Sequence, residues 1–136
     1  MKNTQKIDHV AIAVTDLQKA IEVYDNILNQ QPSHIEEIAD QQVKAAFYEC
    51  GDAHLELLQG IADTSPITRF INKNGPGIHH ICIQVTDLKE QLQRLKTLGV
   101  RLIDQTPRTG AMGKQIAFIH PAAACGVLIE LVEKTS

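Results

Sequence analysis

The chain has 136 residues, 43% of them hydrophobic and 21% charged, which is typical of one soluble globular domain and too short for two independent cores. Its formal net charge of −3 argues against nucleic acid as a partner, because a surface that binds phosphates is normally basic. Neither a signal peptide nor a membrane-spanning run is evident in the sequence, so we expect a cytoplasmic protein without a membrane partner.

Apolar periodicity and turn residues predict two similar modules joined by a linker. The first module spans about residues 6–60, and its predicted elements are a strand at 7–14, a helix from Asp16 to about 29, and strands at 33–38, 43–50 and 54–59. The linker covers 61–77 and contains a short helix at 67–72. The second module spans about 78–133, with a strand at 78–85, a helix whose apolar face carries Leu88, Leu92, Leu95 and Leu98, strands at 100–103, 114–119 and 127–132, and a loop at 106–113. Residues 1–136 are therefore predicted to form a single α+β domain.

The two modules share a repeated sequence. Residues 7–17, Ile-Asp-His-Val-Ala-Ile-Ala-Val-Thr-Asp-Leu, match residues 78–88, Ile-His-His-Ile-Cys-Ile-Gln-Val-Thr-Asp-Leu, at seven of eleven positions and at an offset of seventy-one. Near the end of each module, Leu-Glu-Leu around Glu56 is answered by Ile-Glu-Leu around Glu130. Because a single βαβββ module cannot close its own sheet, we expect the two modules to form one curved mixed sheet with a cleft inside.

The repeat places two histidines and two glutamates at equivalent positions. His9 and His80 lie on the strand faces opposite the branched apolar residues that the helices must cover, so we expect both in the cleft. Glu56 and Glu130 lie in apolar strand sequence, where burying a carboxylate is costly unless it is paired or binds a metal. Any one of these residues alone would more often be structural. All four together favour a divalent metal site with positions left for water or substrate.

Other polar residues receive less weight. His54 lies two residues before Glu56 on the same face; it could be an extra ligand or could orient Glu56, but a solvated strand end is the favoured interpretation. His79 points to the opposite face from His80 and is interpreted as structural. The segment 108–114 has two basic residues and two glycines, and it could close over an anionic ligand or be an ordinary surface loop.

From about residue 6 to 133 the chain resembles the vicinal-oxygen-chelate superfamily, which includes glyoxalases, bleomycin-resistance proteins and extradiol dioxygenases. Within that superfamily it is most similar to the methylmalonyl-CoA epimerase family. The segments that carry the resemblance are 7–14, Ser-Pro-Ile-Thr-Arg-Phe-Ile at 65–71, Gly-Ile-His-His-Ile at 77–81, 107–114, Phe-Ile-His-Pro at 118–121 and Gly-Val-Leu-Ile-Glu-Leu at 126–131.

The resemblance implies a divalent metal ion (Co, Mn, Ni, Zn or Mg) bound by His9, Glu56, His80 and Glu130. It implies epimerisation of methylmalonyl-CoA by abstraction of the α-proton through a metal-stabilised enolate, with Glu130 as a catalytic base. An acyl-CoA substrate and a homodimer are also implied, whereas substrate-binding residues are not identified.

Two positions depart from the pattern of some family members. Some of them have glutamine at the position of Glu56, so the carboxylate adds a negative charge to the predicted metal site. Some have glutamate where this chain has Ala45, so a second base is not found there. Inversion needs an acid on one face of the substrate and a base on the other. The hypothesis is that Glu130 serves one face while water or an unidentified group serves the other.

Three alternatives remain open. A glyoxalase-I-like lactoylglutathione lyase would use a similar ligand set for a related proton transfer, but the segments 107–108 and 120–121 favour the epimerase. An extradiol dioxygenase would need two histidines and one glutamate, so Glu56 argues against it. A non-enzymatic drug-binding protein of the bleomycin-resistance type would generally lack the metal ligands.

Overall fold

The computed structural model describes residues 5–135, which form two compact units. The first unit runs from His9 to His79, and the second combines the residues up to Asp8 with those from His80 onward. In chain order the helices and strands are β1 (Lys6–Ala13), α1 (Leu17–Leu28), β2 (His34–Ile38), β3 (Val43–Cys50), β4 (Ala53–Gly60), α2 (Pro66–Asn74), β5 (Gly77–Val85), α3 (Leu88–Thr97), β6 (Arg108–Thr109), β7 (Gln115–Ile119) and β8 (Ile129–Glu133). No helix among residues 5–135 has the length and apolar character needed to cross a membrane.

Both units have the same strand pairing. In the first, β2 and β3 are antiparallel, β3 and β4 are antiparallel, and β4 is parallel to β1. In the second, β6 and β7 are antiparallel, β7 and β8 are antiparallel, and β8 is parallel to β5. The predicted α+β class, the βαβββ order of both modules and the mixed pairing of their strands are therefore confirmed.

The sequence repeat also determines the packing of each helix on its strands. The core beneath α1 and the core beneath α3 use equivalent positions, namely Val14 and Val85, Leu17 and Leu88, Ile21 and Leu92, Ala46 and Ala117, Tyr48 and Ile119, and Leu57 and Leu131. All of them are buried, so each helix covers the face of its strands that carries the branched residues. The histidines and glutamates of the repeat are thereby left on the other face, as the alternation of strand residues predicts.

A buried tyrosine anchors α1 to β3. The Tyr48 hydroxyl donates to Asp25 Oδ1 at 2.7 Å and lies 3.2 Å from the carbonyl oxygen of Ile21. Burial and the hydrogen bond to Asp25 raise the pKa of Tyr48 well above its usual range, because both favour the neutral phenol. Tyr48 is fully buried, so this bond connects the helix to the strand inside the core.

Helix starts and stops follow the predicted capping residues. The side chains of Asp16, Ser65 and Asp87 accept hydrogen bonds from backbone N–H groups in the first turns of α1, α2 and α3. Gly99, two residues after the end of α3, has φ of +79°, the left-handed conformation predicted for the residue that terminates a helix. Leu98 is not on the buried face of α3, contrary to the prediction; it lies after the last helical residue and is 66% exposed.

One predicted strand is wrong. Residues 100–103 form only an isolated bridge between Leu102 and Ile119; Leu102 is buried in the core beneath α3, and Val100 packs against that core partly buried. The second strand of this unit is instead β6, two residues long, inside the segment predicted to be a loop. The offset of seventy-one would have located it, because β2 maps onto 105–109. Pro107 in that stretch has no N–H to donate to a strand partner, which accounts for the shortness of β6.

Candidate metal centre

The first unit contains a buried histidine–glutamate pair, His9 and Glu56, called here the first His–Glu pair. The parallel register of β1 and β4 sets Ala11 beside Glu56, so His9 lies two residues earlier on the same face. His9 Nδ1 is 3.0 Å from Glu56 Oε2, and the two side chains are 7% and 5% exposed. A carboxylate at this depth needs the partner that His9 supplies.

The second unit contains the equivalent arrangement, His80 and Glu130, called here the second His–Glu pair. The parallel register of β5 and β8 sets Cys82 beside Glu130, so His80 again lies two residues before the neighbour of the glutamate. His80 Nε2 is 2.9 Å from Glu130 Oε1, with side chains 4% and 7% exposed. Each of the four residues predicted as metal ligands is thus buried, and each histidine lies against the glutamate of its own unit.

An aromatic residue completes each arrangement. Phe47 lies directly opposite Glu56 in the antiparallel register of β3 and β4, and Phe118 lies directly opposite Glu130 in that of β7 and β8. The ring of Phe118 meets His80 edge-on at 5.4 Å. These phenylalanines correspond at the offset of seventy-one. They place an apolar wall beside each pair, which keeps the local dielectric constant low.

His54 does not behave as the solvated strand end that the sequence favoured. Its register partner is His9, their rings are 4.9 Å apart, and its side chain is 17% exposed. Its Nε2 is 2.9 Å from Glu56 Oε2, the same oxygen that His9 contacts. Ligand atoms of His9 and His54 also lie within 4.8 Å of each other. The prediction failed because sequence gives the face of a strand residue but not which neighbouring strand covers it.

Ala45, where the sequence lacks a second base, is fully buried on β3. Its direct neighbours are Leu58 on β4 and Glu36 on β2, so Glu36 shares the face that carries Glu56 and Phe47. His34 Nε2 lies 3.0 Å from Glu36 Oε1, within hydrogen-bonding distance, and the side chain of Glu36 is 25% exposed. Sequence reasoning missed Glu36 because its alignment with Ala45 is a matter of strand register.

The remaining candidates from the sequence have structural contacts. The ring of His79 meets Phe70 of α2 edge-on at 5.0 Å, in keeping with its interpretation as structural. In segment 108–114, Arg108 Nε lies 3.2 Å from Asp104 Oδ1, and its guanidinium is 5.3 Å from the ring centre of Phe118. Arg108 therefore packs on the same phenylalanine that contacts His80.

The donor atoms of each pair fit a divalent cation. Two ligand atoms bound at ~2.1 Å with a right angle between the bonds lie roughly 3.0 Å apart, and the two pairs are separated by 3.0 Å and 2.9 Å. Imidazole nitrogen and carboxylate oxygen together suit Zn, Co, Ni and Mn, and carboxylate also suits Mg. The same spacing satisfies a hydrogen bond when no metal is bound, so each pair is held in place in either state.

Comparison with known proteins places the chain in a family. Residues 8–118 match the Glyoxalase/Bleomycin resistance protein/Dioxygenase superfamily. The uncharacterized protein YqjC of Bacillus subtilis is 43% identical over 94% of this chain and 91% of that protein. Among solved structures, methylmalonyl-CoA epimerase from Mycobacterium tuberculosis is 40% identical with a TM-score of 0.93, over 100% of this chain and 94% of that one. A methylmalonyl-CoA epimerase in complex with methylmalonyl-CoA and NH4+ is 32% identical with a TM-score of 0.90, over 98% and 97% of the two chains. The chain thus belongs to the glyoxalase/bleomycin resistance/dioxygenase superfamily, and methylmalonyl-CoA epimerases are among its full-length relatives.

Proposed function

We propose that this protein is a metal-dependent epimerase that acts on methylmalonyl-CoA or a closely related acyl-CoA thioester. The observation that carries the proposal is that two equivalent buried His–Glu pairs occur in a chain similar to methylmalonyl-CoA epimerases over its full length. The complex of one such relative with methylmalonyl-CoA supports the choice of substrate class. The likeness to YqjC, a protein without an assigned activity, leaves the choice of acyl group to experiment.

The proposed ligands of the cation are His9, Glu56, His80 and Glu130. Two imidazoles and two carboxylates supply four donors, with the two carboxylate charges balancing the charge of a divalent ion. Burial of all four, each below 10% exposure, favours this assignment because buried carboxylates are otherwise costly. When bound, the ion would attract the negative charge that develops on the substrate oxygens as the α-proton leaves.

The proton transfer itself falls to side chains of the chain. We assign removal of the α-proton on one face of the substrate to Glu130, whose carboxylate is held by His80 and walled by Phe118. For the other face we propose Glu36, because it lies directly opposite Ala45 on the face of the strands that carries Glu56. The carboxylate of Glu36 on β2 would then take the role of the second base, for which Ala45 on β3 has no suitable side chain. Inversion then requires one of the two to accept a proton while the other donates one.

The test is exchange of the α-proton of methylmalonyl-CoA for deuterium, followed by NMR in heavy water. Protein with added Co²⁺ should catalyse exchange, whereas protein with chelator or Co²⁺ alone should not. Absence of exchange by protein with demonstrated bound metal would refute the epimerase assignment. The same metal-loaded protein is then given the glutathione hemithioacetal of methylglyoxal, and formation of lactoylglutathione would indicate the glyoxalase alternative. No metal binding and neither reaction would favour a ligand-sequestering protein.

A homodimer and a cytoplasmic location, expected from the resemblance and the sequence, are parts of the same proposal. Light scattering coupled to gel filtration measures the first, and fractionation of the source cells measures the second. A monomer would remove the homodimer from the proposal without affecting the assignment of the metal ligands.

A further inference from the structure

A second histidine, His54, contacts the glutamate of the first His–Glu pair. His54 and His9 both contact Oε2 of Glu56, at 2.9 Å and 3.0 Å. The residue two positions before Glu130, which corresponds to His54, is Leu128, and its side chain packs with the apolar cluster around Cys82. The repeat therefore explains the histidine and glutamate of each pair, but not His54.

The ring of His54 is held from both sides. The His9 ring lies 4.9 Å away and the Phe47 ring 5.7 Å away, measured between ring centres. Phe47 in turn contacts the ring of His34 at 5.4 Å, so a row of rings runs across β2, β3, β4 and β1. A side chain fixed in this way directs its Nε2 at the Glu56 carboxylate at little further entropic cost.

We propose that His54 is a positioning residue that donates its Nε2–H to Glu56 and holds this carboxylate in the orientation needed to bind the cation. The inference rests on the proposed function, because it takes Glu56 as a metal ligand. An ionised carboxylate accepts hydrogen bonds but cannot donate one. A histidine donor at position 54 therefore stabilises a glutamate at position 56 more than it would stabilise a neutral glutamine side chain at position 56. His54 thereby stabilises the buried carboxylate of Glu56. In this role His54 Nε2 donates its hydrogen bond to Glu56 and does not bind the metal.

The chain provides a matched control for this experiment. His34 and Glu36 repeat the His-x-Glu spacing of His54 and Glu56, with Nε2 and Oε1 3.0 Å apart, but their side chains are 46% and 25% exposed. The variants are H54L, which introduces the residue found at the equivalent position of the second pair, H54Q, which keeps an N–H donor, and H34L. Each is also made in the E56Q background. Metal-free thermal melts verify that each variant is folded, and H54A replaces H54L if H54L is not.

Co²⁺ affinity is measured by titration calorimetry, and the coordination of Co²⁺ by its visible absorption. We expect H54L to weaken Co²⁺ binding about 10- to 100-fold, as loss of a group that orients a metal ligand does. H54Q should restore most of the affinity, and H34L should bind within about twofold of the wild type, because Glu36, the partner of His34, is not among the proposed ligands of the cation. In the E56Q background the effect of H54L should shrink to about threefold or less, which is the coupling that a double-mutant cycle measures. The Co²⁺ absorption band should keep its shape.

Three results would overturn the inference. Equal Co²⁺ affinity of H54L and the wild type would show that His54 does not support Glu56, while the metal site itself would stand. Loss of affinity with an altered absorption band, and no rescue by H54Q, would make His54 a direct ligand. Failure of the wild type to bind Co²⁺ at all would remove the metal site of the proposed function together with this role of His54.

Discussion

The twofold repeat allows one prediction to be tested with a control inside the same molecule. Glu130→Gln and Glu56→Gln are the same isosteric change at equivalent positions, with side chains 7% and 5% exposed and both about 3 Å from a histidine nitrogen. As proposed ligands, the two glutamates each offer one charge to the cation. Only Glu130 is proposed to remove the α-proton.

The expected magnitudes follow from this difference. Loss of one carboxylate charge should weaken Co²⁺ binding in both variants, so the dissociation constant of each variant is measured separately from its rate. A general base contributes about 10²- to 10⁴-fold to rate, which is ~3–5 kcal/mol of activation free energy. At saturating Co²⁺ we therefore expect kcat for α-proton exchange to be at least about 100-fold lower for Glu130→Gln than for Glu56→Gln.

The assay is the NMR exchange measurement in heavy water, made at Co²⁺ concentrations at least about tenfold above the dissociation constant of each variant, so that at least roughly nine tenths of the protein is metal-bound. Calorimetry supplies those constants, and circular dichroism verifies the fold. Equal losses of kcat in the two variants would refute a specific role of Glu130 as base. Full turnover with normal metal binding by Glu130→Gln would remove Glu130 from both roles.

Three further predictions concern neighbouring groups and the whole fold. Glu36→Gln should lower kcat about 100-fold or more if Glu36 serves the second face, while Glu37→Gln, on the opposite face of β2 and exposed, should not; equal activity of the two variants would return the second role to water or another group. Tyr48→Phe should cost about 1.5 kcal/mol, or roughly 5 °C in Tm, because a buried donor to Asp25 is lost while the half-buried carboxylate can rehydrate. Because the pKa of Tyr48 is higher in the folded than in the unfolded protein, the stability that its hydroxyl contributes is complete below pH ~10 and declines at higher pH. The difference in free energy of unfolding between wild type and Tyr48→Phe should therefore be smaller at pH ~11 than at pH ~8 in denaturant titrations. An equal difference at the two pH values would contradict this reasoning. A metal concentration about 100 times the dissociation constant should raise the free energy of unfolding by ~2.7 kcal/mol and Tm by roughly 9 °C. Differential scanning calorimetry of metal-loaded and chelator-treated protein measures this difference. An unchanged Tm would argue against a bound cation.

Local sequence accounted for the elements of each unit. The strand at 43–50 has the predicted bounds, and helix α1 begins directly after the predicted cap Asp16. These predictions succeeded because capping residues and side-chain alternation act over a few residues, within one element. The strand predicted at 100–103 failed because an apolar segment can pack on the core, here through Leu102 and Val100, without pairing along its length.

The sequence also predicted that each module carries one histidine and one glutamate of the candidate site. The repeat makes His9 equivalent to His80 and Glu56 equivalent to Glu130, and each pair is buried within its own unit at about 3 Å. Periodicity put each residue on the face away from the helix. The assignment of all four to one metal ion remains a prediction, carried by the repeat and by the family resemblance.

The sequence by itself determined which residue types occupy the strand face opposite the helices, because that face depends only on the alternation along one strand. Tertiary structure decided which side chains meet across strands, because register between strands far apart in the chain is set by core packing and not by local sequence. That register sets His54 opposite His9 and Glu36 opposite Ala45. Neither of these two pairings follows from spacing along the chain, whereas the contact of His54 with Glu56 joins residues two positions apart on one strand.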